Sequence, residues 1–234
     1  MGIDNRYFSD LLDVVKDQLP FTEGTRKVLC LGYPDFLVDE QHLISLFGQE
    51  FVDTIPEEPL SDAVRAWHKS LLPKVFNPLW ILEYLNFDVV IFDLISQRGI
   101  ETIVDLNEPI SNAYYEQFEW VIDTGTLEHC FNVGQAFKNV CLTIKKDGIF
   151  ITAAPVSKLD HGYWNFGTIV HKDGFTQNGF EILKTTYTCK HDIVEPERMN
   201  WKHMPTRTAV TTIAKRTSVK DWIWPTQGKY LWFY

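Results

Sequence analysis

The chain has 234 residues, of which 45% are hydrophobic and 23% charged, a composition typical of globular proteins. Its formal net charge of −9 leaves no basic face to neutralise phosphates, so a nucleic-acid partner is not expected. No apolar run approaches the ~20 residues that span a bilayer, and the N-terminus lacks the apolar centre of a signal peptide, so we expect a cytoplasmic protein without membrane association.

The first 90 residues predict mainly helices. Asp4 or Asn5 can cap a helix whose apolar side chains repeat at helical spacing. The stretch RKVLCLGYPD predicts a short buried strand that breaks at Gly32. Asp39, and Asn77 before a proline, are typical caps of two further helices.

After residue 88 the pattern changes to strands that alternate with helices. The strands are DVVIFDL, ETIVDL, FEWVID and IFITAAP, and their continuous apolar character predicts a parallel sheet covered on both faces. The later stretches FEILKTTYTC and RTAVTTIAKR alternate and are rich in threonine, which favours an antiparallel pair at the edge of that sheet. We therefore predict a doubly wound α/β fold, as a single domain over residues 1–234.

Three acids lie at or next to the ends of successive predicted strands. They are Asp93, Asp105 and Asp123, and ligands of such sheets bind beyond the carboxyl ends of the strands. Each acid alone is typical of a cap for the turn that follows it. Together they favour a shared polar cleft, in which carboxylates accept hydrogen bonds from hydroxyl or amino groups.

The segment FEWVIDTGTLEHCFNVGQAFKNVCLTIKKDGIFI resembles the fourth strand, helix and fifth strand of class I S-adenosylmethionine-dependent methyltransferases. HGYWNF resembles a segment after the fifth strand in one branch of that family, and TIVDLNEPI resembles the strand and turn before the fourth strand. The resemblance covers roughly residues 85–185. It implies a Rossmann-like, mostly parallel seven-stranded sheet with an antiparallel C-terminal hairpin, and methyl transfer to a small-molecule or sugar acceptor at oxygen or nitrogen.

The resemblance also implies roles for individual residues. Gly32 would line the methionine part of the cofactor S-adenosylmethionine, and Asp93 would hold the ribose hydroxyls. The adenine edge would meet Asp105, Leu106 and Asn107. The side of the site near the sulfonium would be closed by Asp123, Thr124 and Gly125, with Glu128 facing either cofactor or acceptor.

Methyl transfer to a hydroxyl or amino group needs a base, and histidine titrates nearest neutral pH. His129 and His161 are the candidates, although a histidine at a helix start is often structural. Tyr163, Trp164 and Phe166 form either an acceptor wall or ordinary core. The scattered cysteines and histidines have no metal-ligand spacing, so no metal site is predicted, although Asp160 and His161 could join a metal together with other acids.

Two features depart from the family. The first-strand loop reads CLGYPDF, with Gly32 where the family usually has several glycines. The segment before the next strand is longer than the ~20 residues expected there, which predicts a cap insertion at roughly 48–77. These departures keep an alternative open, namely a catalytically inactive methyltransferase-like protein that binds a partner.

The last residues, 221–234, form an aromatic tail with the sequence DWIWPTQGKYLWFY. A tail this apolar is expected to pack on its own domain or to form a homodimer contact.

Overall fold

The computed structural model describes residues 2–18, 24–58, 74–189, 192–194 and 205–233. The chain divides into two compact units, one of residues 1–26 and 34–89, the other of residues 27–33 and 90–234. Much of the expected insertion, residues 59–73, lies outside the described residues, so the insertion stays a prediction. Within the described ranges, no helix is both long and apolar enough to cross a bilayer.

The first unit is mainly helical, and local caps set its helix boundaries. Asp4 accepts a hydrogen bond from the Tyr7 amide at 2.8 Å, and Asp39 accepts one from the His42 amide at 2.8 Å. Asn77 caps the helix that starts at the following proline, as expected. In chain order the elements are β1 (Ile3–Asp4), α1 (Asn5–Gln18), β3 (Phe36–Leu37), α2 (Glu40–Phe47), α3 (Gln49–Val52) and α4 (Pro78–Tyr84).

The second unit contains most of an eight-stranded mixed sheet. Its strands are β2 (Arg26–Leu31), β4 (Phe87–Asp93), β5 (Thr102–Ile103), β6 (Phe118–Asp123), β7 (Ile144–Pro155), β8 (Phe180–Cys189), β9 (Asp192–Val194) and β10 (Thr208–Arg216). Their order across the sheet is β5-β4-β2-β6-β7-β10-β8-β9. Strand β6 runs parallel to β2 and β7, whereas β10 runs antiparallel to β7 and β8. The sheet has one strand more than the seven expected, because β9 pairs with the end of β8.

The core of the second unit lies between this sheet and helices α5 (Val133–Thr143) and α6 (Thr168–Gln177). Val121, Phe150 and Val210 are fully buried on neighbouring strands. Phe137 and Phe175 approach each other with ring centroids 4.9 Å apart. The continuous apolar strands predicted from the sequence are therefore covered as expected.

The aromatic tail packs on its own domain over the part that is described. Trp222 contacts the core beside Phe137, with ring centroids 6.2 Å apart. The Ile223 amide donates to the Asn178 side chain at 2.9 Å, and the Gly228 amide donates to Asp173 at 2.9 Å. The homodimer stays a prediction.

The four cysteines differ in exposure. Cys30, Cys130 and Cys141 are buried, and Cys189 is half-buried. Burial raises the pKa of Cys30 and of Cys130 to about 12, with nearby carboxylates adding to the effect at Cys130. These thiols are therefore protonated at neutral pH.

Candidate functional site

The ends of strands β2, β4 and β6 are tied together at one edge of the sheet. The Gly32 amide donates to the Phe92 carbonyl at 2.7 Å, and the Thr126 hydroxyl donates to the Leu31 carbonyl at 2.7 Å. Leu31 pairs with Asp123 in the parallel ladder. The side chains that follow these strands are therefore held close to each other, as the strand pattern predicts.

Gly32 occupies a place that a larger residue does not fit. Its φ of +69° is in the left-handed region, and a Cβ there would lie 3.2 Å from the Thr126 hydroxyl and 4.0 Å from Asp93 Oδ2. Tyr33, the next residue, stacks on Arg98, whose guanidinium carbon is 3.5 Å from the ring centroid. The missing side chain thus leaves a small space beside the Thr126 hydroxyl and an acid oxygen.

Asp93 is half-buried and uses only one of its oxygens locally. Oδ1 accepts hydrogen bonds from the Leu94 amide at 2.7 Å and the Ile95 amide at 3.4 Å. Oδ2 makes no hydrogen bond within the described part of the chain, and it lies 4.0 Å from the position that a Cβ on Gly32 would take. An acceptor oxygen therefore faces the place where a ribose hydroxyl is expected.

The Asp105–Asn107 turn is exposed at its acid and anchored at its other end. Asp105 accepts from the Asn107 amide and side chain at 2.9 and 2.8 Å. Leu106 is only 6% exposed and belongs to the core, so its side chain supports the turn rather than offering a contact surface. Asn132 and Asn139 on the other side of the turn donate to the carbonyls of Asn107 and Leu106. These two asparagines were not singled out from the sequence, because nothing local links them to a turn more than 20 residues away.

Asp123 has a fully buried carboxylate that is engaged on both oxygens. Oδ1 accepts from the Gly125 amide at 3.1 Å and the Thr126 amide at 2.7 Å, and Oδ2 accepts from the Thr152 hydroxyl at 2.7 Å. Burial raises the pKa of Asp123 above its usual value, against the effect of these hydrogen bonds. The side chain shapes the turn, and Thr124 and Gly125, with a φ of +109° at Gly125, form the turn itself.

Glu128 and His129 lie in a short 3-10 helix (Leu127–His129) that follows this turn. Glu128 is fully buried, and neither of its carboxylate oxygens has a hydrogen-bond donor in the described structure. Its Oε1 lies 3.4 Å from Nε2 of His161, and the rings of His129 and His161 are 5.3 Å apart at their centroids. The sequence suggested these three residues separately, and the fold brings them together.

Ionisation in this cluster is shifted by burial. Burial, and then the nearby charge of Asp123, raise the pKa of Glu128 to about 8. Burial, and then the positive charge of Lys158, lower the pKa of His161 to about 4. Burial also lowers the pKa of His129. At neutral pH both imidazoles are therefore neutral.

The loop after β7 covers Glu128 closely. A Cβ on Gly162 would lie 2.8 Å from the Glu128 carbonyl oxygen, and the Trp164 amide donates to that same oxygen at 3.3 Å. The Trp164 indole donates to the Cys130 carbonyl at 3.1 Å. Only a glycine beside His161 allows this approach.

The predicted aromatic wall separates into exposed and buried parts. Tyr163 is 67% exposed and Trp164 41% exposed, and Tyr163 packs edge-on against the exposed ring of Phe131. Phe166 is only 4% exposed, belongs to the core and packs near His171. For Phe166, the core alternative is the one that the structure supports.

A pocket of about 760 Å³ opens beside His161. Its lining includes Lys158, Asp160 and Arg207, and two of these, Asp160 and Arg207, have left-handed φ angles of 56° and 62°. Lys158 and Arg207 were not singled out from the sequence. Arg207 joins the pocket only through the antiparallel pairing of β10 with β7. The pocket presents both signs of charge next to the Glu128 cluster.

No protein-family model and no curated protein matches this chain. Solved structures do match. The CMeT domain of the citrinin polyketide synthase is similar over 92% of this chain at 13% identity, with a TM-score of 0.52, and this chain spans about half, 52%, of that chain. An S-adenosylmethionine-dependent methyltransferase from Mesorhizobium loti is similar over 87% of this chain and 96% of its own, at 13% identity and a TM-score of 0.45. The N-methyltransferase NodS from Bradyrhizobium japonicum, in complex with S-adenosylhomocysteine, is similar over 90% of this chain and 85% of its own, at 8% identity and a TM-score of 0.48.

The first of these similarities shows the fold. The chain has the Rossmann-like α/β methyltransferase fold, a sheet that is mostly parallel with antiparallel strands at one edge. The predicted fold class is confirmed.

Proposed function

We propose that this protein transfers a methyl group from S-adenosylmethionine to an oxygen or nitrogen atom of a small-molecule or sugar acceptor. The observation that carries the proposal is the space at Gly32, which a Cβ would fill and which Asp93 Oδ2 faces without a hydrogen-bond partner among the described residues. The fold supports it, because ligands of such sheets bind at this edge.

The residues around this space fit the proposed cofactor. Asp93 would accept hydrogen bonds from the ribose hydroxyls through its uncommitted oxygen. Asp105, which is exposed, and Asn107 would meet the adenine edge. Backbone groups of Gly32, Thr124 and Gly125 would line the remainder, and buried Asp123 would hold their turn in place. When bound, S-adenosylmethionine supplies an electrophilic methyl group.

The acceptor would enter the pocket beside His161, and the exposed rings of Tyr163 and Trp164 follow in the same loop. The pocket's cations, Lys158 and Arg207, favour an acceptor that carries a carboxylate, phosphate or several hydroxyl groups. A base is needed only if the acceptor atom carries its proton at neutral pH. His161, with a pKa of about 4, is a weak base there, and the role of this histidine is taken up in the next subsection.

The experiment is a calorimetric titration of the protein with S-adenosylmethionine and S-adenosylhomocysteine. We expect micromolar binding that Asp93→Ala and Asp105→Ala both weaken, because each removes an acceptor for the nucleoside. Glu181→Ala, which removes an exposed acid from β8, is the matched control and should bind like the wild type. A thermal shift of several degrees at ~100 times the dissociation constant should accompany binding.

Absence of binding of both ligands, by a protein with a cooperative unfolding transition, would contradict the proposal. The chain would then be better treated as a methyltransferase-like fold that binds a partner without catalysis. Binding that none of the acid substitutions weakens would place the cofactor elsewhere and would contradict the residue roles given above.

A further inference from the structure

Three potential metal ligands meet beside the proposed cofactor site. Glu128, His129 and His161 each offer one ligand atom, and these atoms lie within 4.8 Å of one another. Glu128 and His129 come from the turn after β6, and His161 comes from the loop after β7, so the fold rather than the sequence spacing creates the group. All three belong to the second unit.

Glu128 is the residue that most needs a partner. A carboxyl group that is fully buried without hydrogen-bond partners is unfavourable, and both of its oxygens are in that situation here. Nε2 of His161, 3.4 Å away, is also buried without a hydrogen bond. The two unsatisfied atoms face each other, and a cation between them would satisfy both.

The geometry suits a transition-metal ion. Ligands held at ~2.1 Å from a tetrahedral ion are ~3.4 Å apart, which is the separation of Glu128 Oε1 and His161 Nε2. The other ligand separations are within 4.8 Å, so they have to close by up to ~1.4 Å to reach the same tetrahedral geometry. The side chain of His161 is 27% exposed, so it has room to turn.

The ligand set also indicates the kind of ion. Two imidazoles and one carboxylate bind Zn²⁺ in catalytic sites and Fe²⁺ in related ones, whereas Mg²⁺ and Ca²⁺ prefer oxygen ligands.

We propose that Glu128, His129 and His161 form a binding site for one divalent transition-metal ion, for which Zn²⁺ is the best match. Three protein ligands leave at least one position open, and His161 also lines the pocket of about 760 Å³. In a use that rests on the proposed function, an acceptor hydroxyl bound at the open position loses its proton to water more readily. The histidines would then act as ligands instead of bases.

The test is a calorimetric titration of the full, chelator-treated chain with Zn²⁺. We expect one ion per chain, and we expect Glu128→Gln and His161→Gln each to weaken binding by at least ~10-fold. Two variants serve as controls that should not change the affinity: His42→Gln removes a histidine from the first unit, and Cys189→Ser removes the half-buried thiol. Mg²⁺ should bind more weakly than Zn²⁺.

Co²⁺ gives a second measurement that does not depend on activity. A Co²⁺ ion in a site of low coordination number has intense visible absorption, and these bands should be absent in His161→Gln. Circular dichroism of each variant checks that the fold is kept. Equal Zn²⁺ affinity of the wild type and both ligand variants would overturn the proposal, and so would a lack of Zn²⁺ binding by folded protein.

The two proposals fail in different ways. Zn²⁺ is titrated in the absence of cofactor, and S-adenosylmethionine is titrated into metal-free protein. Zn²⁺ binding without cofactor binding would support the metal site and contradict the proposed function. Cofactor binding without Zn²⁺ binding would do the reverse.

Discussion

The end of β6 and the turn after it contain two buried carboxyl groups whose hydrogen bonding is opposite. Asp123 accepts three hydrogen bonds, two from amides of its own turn and one from Thr152. Glu128, five residues later, is equally buried and accepts none from the described residues. In the first region, both oxygens of the carboxyl group have hydrogen-bond donors within the protein. In the second region, which also includes His129 and His161, buried polar atoms lack hydrogen-bond partners among the described residues.

This difference in hydrogen bonding indicates a structural role for Asp123 and a binding role for Glu128. A polar group whose hydrogen bonds are all made within the protein holds a turn in shape, and removing it should damage the fold. A buried polar group without hydrogen-bond partners does not stabilise the fold, and such groups are typical of ligand-binding sites. Substitutions in the two regions should therefore have different costs.

The largest effect is expected for Asp123→Ala. The change leaves two amides and the Thr152 hydroxyl without their acceptor in a buried place, so unfolding should become easier by about 3–5 kcal/mol. Chemical denaturation measures this, and Thr152→Val, which removes one of the three hydrogen bonds, should cost about 1 kcal/mol. A loss below about 1 kcal/mol in Asp123→Ala would mean that the turn does not depend on its carboxylate.

Gly162→Ala should come next, because it tests how tightly the second region is covered. The added methyl group would lie 2.8 Å from a backbone oxygen and 3.0 Å from Cγ of Glu128, so the loop has to move, at about 1–3 kcal/mol. Gly167→Ala is the matched control, since its Cβ would meet nothing within 4 Å. Equal stability of the two variants would show that the loop does not press on Glu128.

A third buried group lies between the two extremes. His171 has one ring nitrogen 2.9 Å from the Thr212 hydroxyl, and its other ring nitrogen has no hydrogen-bond partner among the described residues. The imidazole is surrounded by the rings of Phe137, Phe166 and Phe175. Burial lowers the pKa of His171 to about 4. Its unfolded form takes up a proton below about pH 6.5, whereas the folded form does so only near pH 4, so stability falls as the pH falls through this window.

The measurable quantity is the pH dependence that His171 adds. Between pH 7 and pH 5 the free energy of unfolding should fall by about 1–2 kcal/mol more in the wild type than in His171→Gln. Denaturant titrations at both pH values provide the comparison. Identical slopes in the wild type and His171→Gln would contradict the assignment.

The smallest effect on stability is expected for Glu128→Gln in metal-free protein. The change keeps the shape of the side chain and removes no hydrogen bond, so the free energy of unfolding should stay within about 1 kcal/mol of the wild type or rise. Asp123→Asn is the matched change in the other region and should be clearly destabilising. If both amide variants lost the same stability, the contrast between the two carboxylates would not hold.

The sequence was sufficient where the interactions are local. The caps Asp39 and Asn77 satisfy amides only three residues away, and the strand that ends at Asp123 is marked by its apolar run. It was insufficient where a side chain's surroundings come from distant segments. The burial of Glu128 depends on Gly162, which reaches it only after β7 has crossed the sheet.

The same distinction between local and tertiary contacts explains where β7 begins and where the Phe166 ring lies. The strand predicted as IFITAAP starts earlier in the structure, at Ile144, which pairs with Phe118 of β6, although Asp147, between Ile144 and the predicted start, has a left-handed φ of 67°. For Phe166 the sequence left two alternatives, acceptor wall or core; its amide donates to the Pro155 carbonyl and its ring is buried in the core. In both cases, contacts with segments distant in the sequence determine the local structure.

The unequal burial of the four thiols gives the protein a natural set of chemical labels. An alkylating reagent should react first with Cys189 at the end of β8, since the other three thiols are covered and protonated. Slow alkylation of Cys30, Cys130 and Cys141 would then follow the rates at which β2, the turn after β6 and α5 open transiently. Mass spectrometry of the alkylated wild-type chain would thus measure how fast these three regions open, without any engineered cysteine.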